Sequence, residues 1–307
     1  MGDLPLAEQI LRAACGDRIR AAFPLASLTT FRIGGPAALF LEPDTDEDLA
    51  AAGDAIREAA IPWVVLGKGS NVLVADDGFP GLVLRLGRGF RWAAREAERL
   101  SAGGAMPLPA LAGVALRHAL RGVEFGVAIP GSVGGAVRMN AGAHGGEMRD
   151  VVASIDVFRL DRGRREVVAA TDAGFAYRSS GLPRNAVVIG ATLRLAPDDA
   201  EAIRARMDEA REWRRRTQPV AEPNCGSVFT NPPGGHAAKL IDEAGGKTLS
   251  EGRAHVSAKH ANFIIAEPGA TALEVVTLIG RVRDLVRDRV GVDLVPEVQL
   301  VGVSPDG

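Results

Sequence analysis

Three polar side chains sit in contexts where they can do chemistry. In Cys225-Gly226-Ser227-Val228-Phe229-Thr230-Asn231-Pro232 a hydroxyl stands beside a glycine and ahead of an amide, so Ser227 is a candidate to hold or move a proton. It is not the G-x-S-x-G elbow of a serine hydrolase, because Phe229 stands where that turn needs glycine. A serine serving only the turn is the plainer alternative. In Tyr177-Arg178-Ser179-Ser180, Arg178 either grips a carboxylate through its planar fork or covers a surface. Glu297 follows Pro296 in an alternating segment; it is either an acid facing a cleft or a surface glutamate on an edge strand.

Glycine-dense loops supply the second kind of chemistry. Ile129-Pro130-Gly131-Ser132-Val133-Gly134-Gly135-Ala136 is followed by Asn140-Ala141-Gly142-Ala143. Without Cβ atoms, backbone amides can converge on an anion, with Ser132 and Asn140 adding side-chain donors. The stretch reads as a cradle for a diphosphate or for the polar edge of a flavin, or as two tight turns within a sheet. Gly67-Lys68-Gly69-Ser70-Asn71-Val72 lacks the third glycine of a Rossmann fingerprint and leads into a strand, which leaves a phosphate contact or a hairpin turn. Gly246-Lys247-Thr248 is not a P-loop, since Ile241 occupies the required glycine position. Arg211, Arg214, Arg215 and Arg216 crowd one helix end, where they complement its negative pole and can also hold a pyrophosphate. Of the five histidines, His260 is the best placed for a ligand or for structure; none has zincin spacing, so no metal is expected.

The elements that must position these residues follow from periodicity. Short strands are expected at Thr29 to Ile33, Leu39 to Leu41, Trp63 to Leu66, Val72 to Val74 and Leu82 to Leu86, around a helix from Asp46 to Ala60. Gly87 to Gly104 gives only a weak strand signal, Pro107 to His118 is helical, and Gly122 to Gly146 reads as loop. Strands return at Ser154 to Leu160, Arg165 to Ala169 and Ala186 to Leu195. Asp199 to Arg216 is a helix with Ile203, Met207, Ala210 and Trp213 on its apolar face. Thr271 and Glu274 form a capping box for a last helix that Gly291 ends, before an alternating segment from Leu294 to Val301. The expected domains are 1–85, 86–198 and 199–307.

Composition excludes other classes. The chain of 307 residues is 47% hydrophobic and 24% charged, as in a soluble globular protein. A net charge of -2 gives no general attraction to nucleic acid or anionic membranes. Cys15 and Cys225 form no C-x-x-C pair, which argues against zinc or a disulfide framework and fits a reducing cytoplasm. Charged residues interrupt the N-terminal 25 residues, so no signal peptide is read there, and no apolar run reaches the length of a membrane span.

Each motif is weak alone, but their order is specific: Thr30-Phe31-Arg32-Ile33-Gly34-Gly35, Gly69-Ser70-Asn71, the 129–143 stretch, Tyr177-Arg178-Ser179-Ser180, Gly226-Ser227 through Asn231-Pro232, His260-Ala261-Asn262-Phe263, and Glu297. Over roughly residues 25 to 302 this resembles the UDP-N-acetylenolpyruvoylglucosamine reductase (MurB) family. The resemblance implies an α+β fold, with a two-subdomain FAD-binding fold of the vanillyl-alcohol-oxidase (PCMH) type plus a C-terminal substrate domain. It implies FAD as bound cofactor, NADPH as co-substrate, and hydride delivery to C3 of the enolpyruvyl group of a UDP-sugar. Carried over, Ser227 gives a proton to C2, while Arg178 and Glu297 polarise the substrate carboxylate. Gly67, Gly69, Ser70, Asn71, Pro130, Gly131, Ser132, Gly134, Gly135, Asn140 and Gly142 become the expected flavin contacts. Tyr177, Arg215, Asn231 and His260 become the expected substrate contacts. Only Gly181 to Asn185 separates Ser180 from the next strand, so the chain resembles the shorter, second type, which has no inserted tyrosine loop. His144 and His255 depart from the family pattern. A cytoplasmic monomer is expected. A flavin oxidase of the same fold would not need Ser227, Arg178 and Glu297 together, and a non-catalytic nucleotide-sugar binder would have lost the serine or the glutamate.

Overall fold

The helix ends are fixed by side chains that the sequence places at them. In the computed structural model, which describes residues 2–302, Asp3 caps helix Leu4–Cys15 by accepting from the Leu6 amide at 3.0 Å. Thr45 and Asp48 form a reciprocal capping box on helix Asp46–Ala59, as Thr271 and Glu274 do on helix Ala272–Val290. Gly291 closes that last helix in the left-handed conformation, as its position suggests.

The chain divides into two compact units, each assembled from separate stretches. The first comprises Met1–Ala21, Leu39–Lys68 and Gly81–Trp213; the second comprises Ala22–Ala38, Gly69–Pro80 and Arg214–Gly307. Neither unit is a single run of chain. The physical reason lies in the cores: Phe31, Ile33 and Leu73 pack with Cys225, Val228, Phe229 and Ile264 rather than with their sequence neighbours.

In the first unit, Ala7, Leu11, Leu49 and Ala52 of two helices cover Leu39, Leu41, Leu82 and Leu84. Trp63–Val65 runs parallel to Phe79–Leu84, with Trp63 opposite Leu82. A five-stranded antiparallel sheet follows the order Arg164–Ala169, Val152–Arg159, Ala186–Arg194, Arg99–Gly103, Ala93–Glu96. Its apolar residues Leu100, Ile155, Val157, Val188 and Leu193 share a core with Leu108 and Leu111 of helix Leu108–Arg117. In the second unit, strands Ser250–Glu251, Ala254–Val256 and Ile264–Ala266 form a small antiparallel sheet. Val275, Leu278 and Val282 of the last helix share a core with its Ala254, Val256 and Ile264. Val72–Val74 pairs in parallel with Gln299–Val301.

Five local expectations change. Thr29 to Ile33 is not a strand: the Thr29 hydroxyl donates to the carbonyls of Ala26 and Ile33, at 3.2 and 3.0 Å, and holds a turn. Gly87 to Gly104 contains a strand pair, Ala93–Glu96 with Arg99–Gly103. The loop expected through Gly146 contains a short helix, Val133–Arg138, because Ser132 caps it and Gly134 lets it pack closely: a Cβ there would lie 2.8 Å from the Val188 carbonyl oxygen. Only Gln299–Val301 of the last alternating segment is strand. Trp213 is 40% exposed, its ring edge-on to His144 at 5.0 Å, while Ile203, Met207 and Ala210 are buried. Spacing of three and four residues carries that stripe on to Arg214, past Trp213.

Candidate functional site

Ser227 and Glu297 both belong to the second unit, and the backbone holds their segments side by side. The Glu297 amide donates to the Val228 carbonyl at 2.7 Å, and Phe229 bridges to Pro296 in antiparallel fashion. Ser227 is thus one residue from the carbonyl that receives Glu297. Asn71 reaches the same place, its Nδ2 donating to the Glu297 carbonyl at 3.2 Å, while its own carbonyl accepts from Gln299. The Asn71 side chain therefore fixes Glu297, a role that glycine-loop reasoning did not supply. Gly67 to Val72 is also not a hairpin, because the strands on either side of it pair elsewhere. Next to Ser227, burial pushes the Cys225 thiol well above its ordinary range, with the nearby Glu297 carboxylate adding to the effect. That thiol is inert packing.

The other residues expected in this unit hold structure as well. Asn231 Oδ1 accepts from the Ala237 amide at 3.0 Å, at the start of helix Ala237–Glu243. His260 stacks edge-on to Phe263 at 4.7 Å, and its Nδ1 accepts from the Asn262 amide at 3.3 Å. Burial, aided by Lys247, holds the His260 pKa below the ordinary histidine range, so the ring is neutral at pH 7. His260 also lines a surface cavity of about 580 Å³ with Lys247 and Lys259, and Lys259 donates to the Arg215 carbonyl at 2.6 Å.

In the first unit, Tyr177 and Arg178 occupy a turn that is pinned from several sides. The Arg178 guanidinium donates to the Gly142 carbonyl at 3.0 Å and lies 4.9 Å from the centre of the Tyr177 ring. Arg178 has φ 55°, a left-handed conformation that costs a non-glycine residue energy and recurs where a side chain must be aimed. The turn is held by Asn140, whose Nδ2 donates to the Ala176 carbonyl at 3.0 Å, and by the Ser180 hydroxyl, which donates to the Arg138 carbonyl at 2.8 Å. Arg138 in turn donates to the carbonyls of Leu182, Pro183 and Ala186.

The glycine stretch works differently from the amide cradle expected of it. The amides of Gly131, Val133, Gly134 and Gly135 donate to Ile129, Met106, Gly104 and the Ser132 hydroxyl. Asn140 is fully buried and uses both Nδ2 hydrogens within the protein, on Glu147 and Ala176. Its side chain therefore positions its neighbours. What the stretch does provide is close approach: a Cβ on Gly67 would stand 2.9 Å from Ser132 Oγ, so Gly67 and Ser132 meet where only a glycine fits. The Ser132 hydroxyl beside Gly67, with Pro130 and Gly135 exposed near it in sequence, suits the polar portion of a flavin dinucleotide.

Comparison with known proteins gives the family. Residues 37–168 match the model of an FAD binding domain, and residues 218–301 match that of the UDP-N-acetylenolpyruvoylglucosamine reductase C-terminal domain. The UDP-N-acetylenolpyruvoylglucosamine reductase of Heliobacterium modesticaldum is 47% identical over 92% of this chain and 90% of its own length. The chain belongs to this family. A second relative, UDP-N-acetylenolpyruvoylglucosamine reductase 2 of Symbiobacterium thermophilum, is 45% identical, covering 98% of each chain. The crystal structure of UDP-N-acetylenolpyruvylglucosamine reductase (MurB) from Thermus caldophilus superposes with a TM-score of 0.80 at 36% identity, over 92% of this chain and 99% of that one. The α+β FAD-binding fold with a MurB C-terminal domain is therefore the fold of this chain, and the protein is an FAD-dependent oxidoreductase.

Sequence reasoning singled out the residue types but missed those that aim them. Asn262, Glu147 and Arg138 hold the segments that carry Ser227 and Arg178. The signal that could have found Asn262 and Asn140 is a polar amide set among residues destined for a core, which must find partners there.

Proposed function

We propose that this MurB-family chain reduces UDP-N-acetylglucosamine enolpyruvate to UDP-N-acetylmuramate, a step in peptidoglycan precursor synthesis, with NADPH as reductant. The observation that carries this reading is the pairing of the Ser227 segment with Glu297 through the 2.7 Å bond to Val228, which keeps an alcohol and a carboxyl group in fixed relation.

FAD would be held by the two glycine loops, with Ser70 and Ser132 as hydroxyl donors and Gly67, Gly69, Gly131, Gly135 and Gly142 keeping the approach open. When bound, FAD accepts hydride from NADPH and supplies it to C3 of the enolpyruvyl group. Ser227 Oγ holds the proton that completes the reduction at C2. Arg178 grips the substrate carboxylate through its fork, and Glu297 in its protonated form donates a hydrogen bond to the same group, so negative charge developing there meets fixed partners. Tyr177, Arg215, Asn231 and His260 contact the substrate. With five residues between Ser180 and the next strand, no inserted tyrosine loop assists, as in the family's second type. Both reactants are charged nucleotides, which fits a cytoplasmic reaction, and one copy of the chain carries the whole residue set.

Ser227→Ala tests the proton assignment. Flavin reduction by NADPH should proceed at the wild-type rate, while reoxidation by the enolpyruvyl sugar should slow by about 10²- to 10⁴-fold, because only that half needs the proton. Equal slowing of both halves would refute the serine role.

A further inference from the structure

Resting on the reading of Ser227 as proton donor, we infer that Asn262 is a positioning residue for it. Asn262 is buried, as are its partners Val228 and Phe229. Its Oδ1 accepts from the Phe229 amide at 2.9 Å, and its Nδ2 donates to the Phe229 carbonyl at 2.8 Å. The side chain thus copies a peptide group and pairs with one residue twice, which fixes both the place and the tilt of that backbone. Its main-chain carbonyl accepts from the Val228 amide at 2.9 Å, a third bond to the same segment. The opposite side of Val228 receives Glu297 at 2.7 Å.

These bonds control Ser227 directly. The Val228 amide belongs to the peptide that leaves Ser227, so its bond to Asn262 fixes the torsion after the serine. On the near side, Gly226 has φ 81° and donates to Asn224 Oδ1 at 2.9 Å. Ser227 is suspended between two pinned peptides, and on the far side Asn262 holds the Val228 amide and both backbone groups of Phe229. Both ends of this buried side-chain amide are engaged with Phe229, so its contribution to the reaction is the placement of the hydroxyl. Misplacing a reacting group by about 1 Å costs on the order of 10²-fold in rate.

The test compares Asn262→Asp, which keeps the acceptor for Phe229 and loses the donor, with Asn262→Ala, which loses both, and with Ser227→Ala. Each flavin-loaded protein is reduced with dithionite, so that the nicotinamide step is not involved, and then mixed with UDP-N-acetylglucosamine enolpyruvate. Expected are reoxidation about 10-fold slower for Asn262→Asp and about 100-fold slower for Asn262→Ala. The apparent affinity for the sugar should be unchanged, and the solvent deuterium isotope effect on this half should rise because proton delivery becomes limiting. Faster hydrogen exchange at Phe229 alone should accompany the loss in Asn262→Ala. If Ser227→Ala reoxidises at the wild-type rate, the serine reading itself fails. If Ser227→Ala is slow but the folded Asn262 variants are not, or slow without a rise in isotope effect, the positioning inference fails and the serine reading stands. Failure of both Asn262 variants to fold makes the residue structural and overturns the inference.

Discussion

Replacing Asn140 with alanine removes the hub on which the Arg178 turn rests. Three bonds disappear: Nδ2 to Glu147 Oε2 at 3.0 Å, Nδ2 to the Ala176 carbonyl at 3.0 Å, and the Arg149 amide to Oδ1 at 2.9 Å. Each neutral bond is worth about 1 kcal/mol net, and the one to a carboxylate about 1.5–3 kcal/mol. Asn140 also has φ 41°, a conformation asparagine tolerates better than alanine. The sum is about 4 kcal/mol, a large share of a typical folding free energy of about 5–15 kcal/mol. In a urea titration followed by circular dichroism, a slope of about 2–3 kcal/mol/M puts the midpoint down by roughly 1.3–2 M. The same variant should raise the apparent KM for the enolpyruvyl sugar, because Ala176 no longer holds the turn that aims Arg178. A midpoint shift below about 0.5 M, which corresponds to roughly 1 kcal/mol, would refute the hydrogen-bond account of this residue.

Two further outcomes follow from local geometry. Asp48 is buried and ion-paired with Arg18, whose Nη2 lies 2.6 Å from Oδ1, and it also accepts from the amides of Asp44 and Thr45. Burial pushes its pKa up, but Arg18 and the two amides outweigh that and hold it below the ordinary carboxylate range. A depressed folded pKa means that the stabilisation is complete above the unfolded value of about 3.9 and is lost as pH falls through the lower folded value. Arg18→Met should therefore cost about 1–3 kcal/mol at neutral pH, discounted because Arg18 is part-exposed, and should move the onset of acid unfolding to higher pH; an unchanged acid midpoint would count against this pair. Thr271→Ala removes the hydroxyl that accepts from the Glu274 amide at 3.1 Å and should cost about 1 kcal/mol, read as a drop in thermal midpoint with no change in flavin content.

What was legible in the sequence is local. Thr271, Glu274 and Gly291 announce their helix because a cap needs only residues within one turn of it. The strands at 154–160, 165–169 and 186–195 show in their alternation because one period of side chains meets a core. The residue types for the reaction, and their order, were legible through resemblance to the family. Their local surroundings were not: Ser227, Arg178 and Glu297 look alone like turn or surface residues.

The tertiary structure decided the rest, because it depends on partners far away in the chain. The helix Val133–Arg138 exists because Gly134 can approach Val188, a neighbour no window around it contains. Asn71 fixes Glu297 across a sequence separation of 226, and Asn262 reaches Phe229 across 33. Asn140 is a hub because burial obliges it to use both its amide hydrogens inside the protein. Sequence by itself determined which groups are present and where helices start and stop; only the fold determined which amides face those groups, since a buried polar side chain takes its function from whatever packing brings within 3 Å of it.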